Sequence, residues 1–166
     1  WMPHIEDTHK MADRVTLIRM EALRLIAIPE ADVQSNSKRA INDSRDQLLK
    51  QLSLYKSEVV DPEESLLLGI LERSVENYLK ILDQVVARID AQQPAQAYAV
   101  LSEQLAPEGS KLDSHLRGLI AYSQQGAESA TQAAASLYER TQLIVVAIIV
   151  ASLLLTFVLA LMLTRS

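Results

Sequence analysis

Three arginines, Arg14, Arg19 and Arg24, interrupt the apolar run DRVTLIRMEALRLI at residues 13–26. A guanidinium keeps its charge at any pH a protein meets and presents its N–H donors in a planar fork. Buried without an anion it is very costly. Two of them near each other call for a carboxylate, which such a fork holds through two parallel N–H···O bonds. A fourth arginine, Arg45, sits at an apolar register position, and Tyr78, Tyr122 and Ser123 offer hydroxyls and ring faces. The chemistry these residue types suit is capture of a small anion, not a reaction. The sequence has no glycine-rich phosphate loop and no Ser-His-Asp set. His4, His9 and His115 lack metal-ligand spacing, and the chain has no Cys. No metal, cofactor or catalytic role is expected. A net charge of −5 and the absence of a basic tract argue against nucleic acid.

The elements that must position these groups are long helices. Only four Gly and five Pro occur in 166 residues. Apolar residues recur at 3,4 spacing in four stretches. The first carries Met11, Val15, Ile18, Ala22 and Leu25. The second carries Ile41, Arg45, Leu48, Leu52 and Tyr55. The third carries Leu68, Leu71, Val75, Tyr78, Leu82, Val85 and Ile89. The fourth carries Leu112, Leu116, Leu119, Ser123, Gly126, Ala130 and Ala133. Asp61-Pro62-Glu63-Glu64 reads as a helix start, with Asp61 as N-cap and Pro62 in the first helical position. Pro29 and Gln92-Gln93-Pro94 end helices, and Pro107-Glu108-Gly109-Ser110 reads as the opening of the fourth. AQAYAVLSEQLA, before it, reads as a short helix in a long connection. The expectation is an all-α, antiparallel up-down four-helix bundle with helices near residues 3–28, 36–59, 62–91 and 107–142.

Up-down topology sets relative heights. Arg19 lies about 28 Å above the start of the first helix at 1.5 Å per residue. Counting down or up the other helices brings Arg45, Asn77 and Tyr78 to that level, and Tyr122 and Ser123 if the fourth helix ends its descent at Arg140. Glu21, Asp43 and Asp46 are the carboxylates expected nearby. The first helix has a second seam, Asp13, Leu17, Met20, Arg24 and Ala27, on roughly the opposite face. A helix with two seams has two partners, which points to a homodimer through the first helix.

The C-terminal stretch LIVVAIIVASLLLTFVLALML, residues 143–163, runs without a charge or a proline. As a helix of about 1.5 Å per residue it spans roughly 32 Å, the thickness of a bilayer core. No proline follows Pro107, so the fourth helix and this transmembrane helix are expected to form one rod. Residues 1–142 would be a periplasmic sensor domain and 164–166 the start of a cytoplasmic relay. An earlier transmembrane helix before Trp1 and a cytoplasmic part after Ser166 are expected as well. The placement is the bacterial inner membrane, with the bundle outside.

In order and length the helices resemble the ligand-binding domain of bacterial methyl-accepting chemotaxis receptors. The resemblance rests on DRVTLIRMEALRLI, SKRAINDSRDQLLKQLSLYK, the DPEE start, APEGSKLDSHLRGLIAY and the closing LTRS. It implies a dimer that binds carboxylates or amino acids near the subunit interface through arginines of the first helix. The aspartate receptor of the family has Arg-x4-Arg-x3-Arg there. This chain has Arg14-x4-Arg19-x4-Arg24, so the third arginine is displaced by about 100° and aspartate specificity does not carry over. The function expected is the sensor region of a chemoreceptor for a small organic, aromatic or amino-acid carboxylate, with cytoplasmic signalling proteins reached through the part beyond Ser166. The alternatives are the sensor of a membrane histidine kinase or nucleotide cyclase, or a non-binding dimerisation stalk.

Overall fold

The computed structural model describes the backbone of residues 2–165. Side chains are described except at 1–3, 133, 136–140, 143, 146–147, 150–151 and 153–166. The described residues are helical, in the order α1 (Met2–Ala27), α2 (Ala31–Glu58), α3 (Pro62–Asp90), α4 (Pro94–Val100), a π-helical turn (Leu101–Leu105) and α5 (Ala106–Arg165). The chain divides into two compact units, Trp1–Gln124 and Gln125–Ser166.

The first unit is a four-helix bundle whose core is built from the expected stripes. Met11, Val15, Ile18, Ala22 and Leu25 are fully buried, as are Leu48, Tyr55, Leu71, Tyr78, Leu82, Val85, Leu112 and Leu119. Each large apolar side chain taken from water contributes about 1.5–3 kcal/mol, and the 3,4 spacing brings all of them to one seam per helix.

Short connections hold the helices antiparallel. Between α1 and α2, Glu30 is extended (φ −63°, ψ 129°) and its carbonyl accepts from Gln34 N–H at 2.9 Å. The second helix therefore begins at Ala31, not near residue 36. Ser35 and Asn36 look like caps in the sequence, but Asp32 already lies in the first turn, where an acid suits the helix dipole. Asp61 caps α3 as expected: its Oδ1 accepts from the Glu63 and Glu64 amides at 2.9 and 3.0 Å. After α3, Gln92 takes φ 58°, Gln93 N–H reaches Arg88 O at 2.8 Å and Gln92 N–H reaches Ile89 O at 2.9 Å. This is the paired C-terminal closure in which a left-handed residue stops a helix, here with Gln where Gly is usual.

The fourth helix of the bundle is where the sequence reading needs correction. α5 begins at Ala106, one residue from the expected start, and the expected short helix before it is α4; but α4, the π turn and α5 follow one another without an intervening loop, so the helical path begins at Pro94. In an α-helix, Pro107 would press its ring against the carbonyl four residues back and leave that carbonyl unbonded. That carbonyl belongs to Glu103, inside the π turn, where Ala106 N–H bonds Leu101 O instead. The wider turn admits the proline. It also explains the buried residues Ala97, Leu101, Leu105 and Gly109, spaced by four each time before the 3,4 pattern resumes at Leu112.

In the second unit the backbone of residues 125–165 is helical as part of α5. The expected transmembrane segment, 143–163, falls mostly on side chains outside the described residues. Among the described residues no helix is long and apolar enough to cross a membrane. Of the small residues expected to ease helix sliding, Gly126 is half-buried, Ala130 is exposed, and the Ala133 side chain lies outside the described residues.

Candidate functional site

The arginine level of the bundle gathers α1, α3 and α5. Arg19 Nη2 donates to Asp113 Oδ2 at 3.1 Å, and both side chains are about one-third exposed, at 33% and 32%. Tyr78 is fully buried beside them. Gly109, one turn before Asp113, is also buried. A Cβ placed on Gly109 would stand 2.8 Å from Arg19 Nη2 and 3.3 Å from Tyr78 Cε2. The guanidinium thus lies against bare helix backbone, between an aromatic ring and a carboxylate.

Charge and burial compete there. Burial works against the charge on Arg19, yet hydrogen bonding and attraction from Asp113, with a smaller contribution from Tyr78, leave its pKa raised. Burial pushes the Tyr78 hydroxyl up to about 12, although Arg19 pulls the other way. The two groups sense each other, but neither completes an aligned hydrogen bond with the other. Arg19 Nε and the Tyr78 hydroxyl are both buried and without a hydrogen-bond partner among the described residues. A buried donor without a good partner costs about 1–3 kcal/mol, and the two groups are near enough for Arg19 to pull the Tyr78 hydroxyl down against its burial.

The remaining sequence candidates are distributed differently. Arg45 lies at the same level, reaching Leu79 O at 3.4 Å, but it pairs with Asp83 on the outer side of α3. It borders a groove of about 470 Å³ between α2 and α3, floored by Leu49, Leu52, Val75 and Leu79. Arg14 is half-buried and makes no ion pair among the described residues. Arg24 is on the outer face, 53% exposed, and approaches Glu21 at 3.8 Å. It does not join Arg19.

Tyr122 and Ser123 lie in another layer. Ser123 is fully buried near Tyr55 and Glu64, at 3.5 Å from each. Glu64, 2% exposed, accepts from the Tyr55 hydroxyl at 2.7 Å and lies 2.8 Å from His4 Nδ1. Tyr122 donates to Asp61 Oδ1 at 2.7 Å. This hydrogen bond, then burial, pushes Tyr122 up to about 12. The same contact holds Asp61 below the usual carboxylate range, with help from the Glu64 amide. Burial likewise raises Tyr55. This polar layer ties the beginnings of α1 and α3 to the end of α2 and to α5.

The displacement has one cause: a height for α5 counted upward from Arg140 is off by about three turns. Ser123 lies beside Glu64 in the first turn of α3, so Gly109 and Asp113 take the level expected of Tyr122 and Ser123. The carboxylates that meet the arginines are accordingly Asp83 and Asp113, in place of Glu21, Asp43 and Asp46. The signal for Gly109 was present in the four-residue spacing of Ala97, Leu101, Leu105 and Gly109. Asp113 carried none, since acids are common on exposed helix faces.

Among the described residues no group of His, Cys, Asp and Glu could hold a metal ion. The arrangement offers a half-buried cation, a neighbouring carboxylate and a buried tyrosine ring inside a helical bundle.

Such a fold defines a four-helix-bundle sensory module. The chain belongs to the family described as the four helix bundle sensory module for signal transduction, whose profile matches residues 1–138. No curated protein matches significantly. A chain of the solved XylFII-LytSN complex is similar in fold, with a TM-score of 0.64 over 73% of this chain and 95% of that chain, at 11% identity.

Proposed function

We propose that this sensory module is the outer, ligand-binding part of a bacterial chemoreceptor and takes a small carboxylate at Arg19. It performs no catalysis. The observation that supports this reading is the partly exposed Arg19 guanidinium packed against Gly109 and Tyr78, its Nε without a hydrogen-bond partner among the described residues. An incoming carboxylate would accept from the guanidinium. Asp113 already balances the guanidinium charge, so a ligand bearing an ammonium as well as a carboxylate suits the site better than a dianion. Organic and aromatic acids remain within the proposed class. Arg14 and Arg45 are auxiliary candidates, and Tyr122 and Ser123 act through the helix contacts below.

The apolar stretch 143–163 would anchor the module in the inner membrane, with the bundle in the periplasm and a cytoplasmic signalling part after Ser166. The seam of α1 supports a homodimer: Met20 is 54% exposed in the single chain, and Leu17 is half-buried. Signalling requires only that ligand bind one arrangement of the helices better than another, with α5 carrying the difference.

The test is a thermal-shift titration of the purified chain with glycine, acetate, succinate, benzoate and phosphate at millimolar concentration. Glycine or acetate should raise Tm in the wild type and not in Arg19→Ala. If no probe stabilises the wild type, the non-binding stalk is the better reading.

A further inference from the structure

The structure assigns Gly109 the role of a seat for the Arg19 guanidinium: its lack of a side chain lets Arg19 lie flat on α5 between Tyr78 and Asp113. A glycine inside a helix is destabilising relative to alanine, because it loses more conformational freedom on folding. Something must offset that at residue 109, which has no positive φ to require glycine. The space around it supplies the reason. Any Cβ would meet Arg19 Nη2 at 2.8 Å, closer than real Cβ atoms approach, and the Tyr78 ring at 3.3 Å. Gly118 on the same helix has nothing within 4 Å of a Cβ, so no neighbour demands glycine there.

Two further features converge on the seat. The π turn ends at Leu105, and the four-residue spacing it creates brings Gly109 to the buried face directly ahead of Leu112. Asp113 follows Gly109 by four residues, so seat and counter-charge share one face of α5. The end of an arginine is flexible, and an added methyl would push the guanidinium away rather than break the bundle. Gly109 is thus a positioning residue. Its consequence for ligand binding rests on the carboxylate reading above, whereas its effect on Arg19 does not.

The experiment compares Gly109→Ala with Gly118→Ala in the full chain, each with and without Arg19→Ala. The readouts are Tm, the Arg19 Nε–H resonance by NMR, and the glycine- and acetate-induced thermal shift. Gly118→Ala should raise Tm and leave the Arg19 resonance in place. Gly109→Ala should move that resonance, show less gain in Tm than Gly118→Ala, and weaken probe binding about tenfold, the order expected for loss of one charge-assisted hydrogen bond. With Arg19→Ala present, the approach to Nη2 is gone and only the 3.3 Å contact with the Tyr78 ring remains, so Gly109→Ala should gain more Tm than it does with Arg19 in place. An unmoved Arg19 resonance, or a Gly109→Ala effect on Tm that is the same with and without Arg19, overturns the assignment. A wild type that ignores both probes but shows the expected resonance shift would reject the ligand reading and keep the seat.

Discussion

Arg19 of α1 and Asp113 of α5 are 94 residues apart in sequence, and their charged groups meet at 3.1 Å. The pair links the first helix of the bundle to the last at the level where Tyr78 leaves its hydroxyl unpartnered.

Because both side chains are about one-third exposed, solvent screens the pair. A double-mutant cycle with Arg19→Ala and Asp113→Ala should give a coupling of only about 0.2–1 kcal/mol in unfolding experiments. Ligand-induced stabilisation should vanish in Arg19→Ala all the same. A large stability loss there, with binding intact, would make the pair structural.

The Gln92 left-handed conformation predicts an easy gain. Gln92→Gly should stabilise the first unit by about 1 kcal/mol, because glycine adopts φ 58° without a Cβ clash. Chemical denaturation measures it, and no change or a loss would mean that the Gln side chain contributes more than its backbone strain costs.

Asp61 caps α3 and receives the Tyr122 hydroxyl, and its pKa is lowered. A carboxylate depressed in the folded state contributes stability above its unfolded pKa and loses it as pH falls through the folded one. The Tm of the wild type should therefore fall as the pH drops below the ordinary carboxyl value of 3.8. Asp61→Asn should flatten part of that acid limb, as read by circular dichroism against pH, while an unchanged limb would assign it to other carboxylates.

Tyr78 gives the opposite sign at high pH. Its hydroxyl is raised from 10.0 to about 12, so the folded state resists its ionisation. The contribution is complete below 10.0 and is lost as pH rises toward 12. Tyr78→Phe should keep the bundle folded further into alkali, with one fewer late-titrating tyrosinate by absorbance. Equal alkaline midpoints would show that another group controls the transition.

The exposed seam of α1 predicts an oligomer. Met20, 54% exposed, should tolerate Asp without loss of helical content, since it touches no core stripe. Sedimentation should show Met20→Asp shifted to monomer. A wild type that is itself monomeric in the bilayer or detergent would remove the dimer.

How much of this was legible in the sequence can be judged helix by helix. The inward residues of α1 and α3 follow from spacing alone, because Met11 to Leu25 and Leu68 to Ile89 repeat at the period of a helix. Asp61 as N-cap was legible for the same kind of reason: Asp, Pro and two acids meet a local backbone requirement. The start of the long last helix was legible too, since α5 begins at Ala106. Its level against the others was not. A height counted upward from Arg140 is wrong by about three turns, which puts Tyr122 and Ser123 at the arginine level and hides Gly109 and Asp113.

The sequence by itself determined what depends on neighbours within a few turns: the helices, their buried faces, and the family to which the pattern belongs. Tertiary structure alone decided which acid meets which arginine. Register between helices is set by how whole faces pack over tens of ångströms, which no local rule reads. The charges of Arg19 and Arg45 required partners from the outset. Packing chose Asp113 and Asp83.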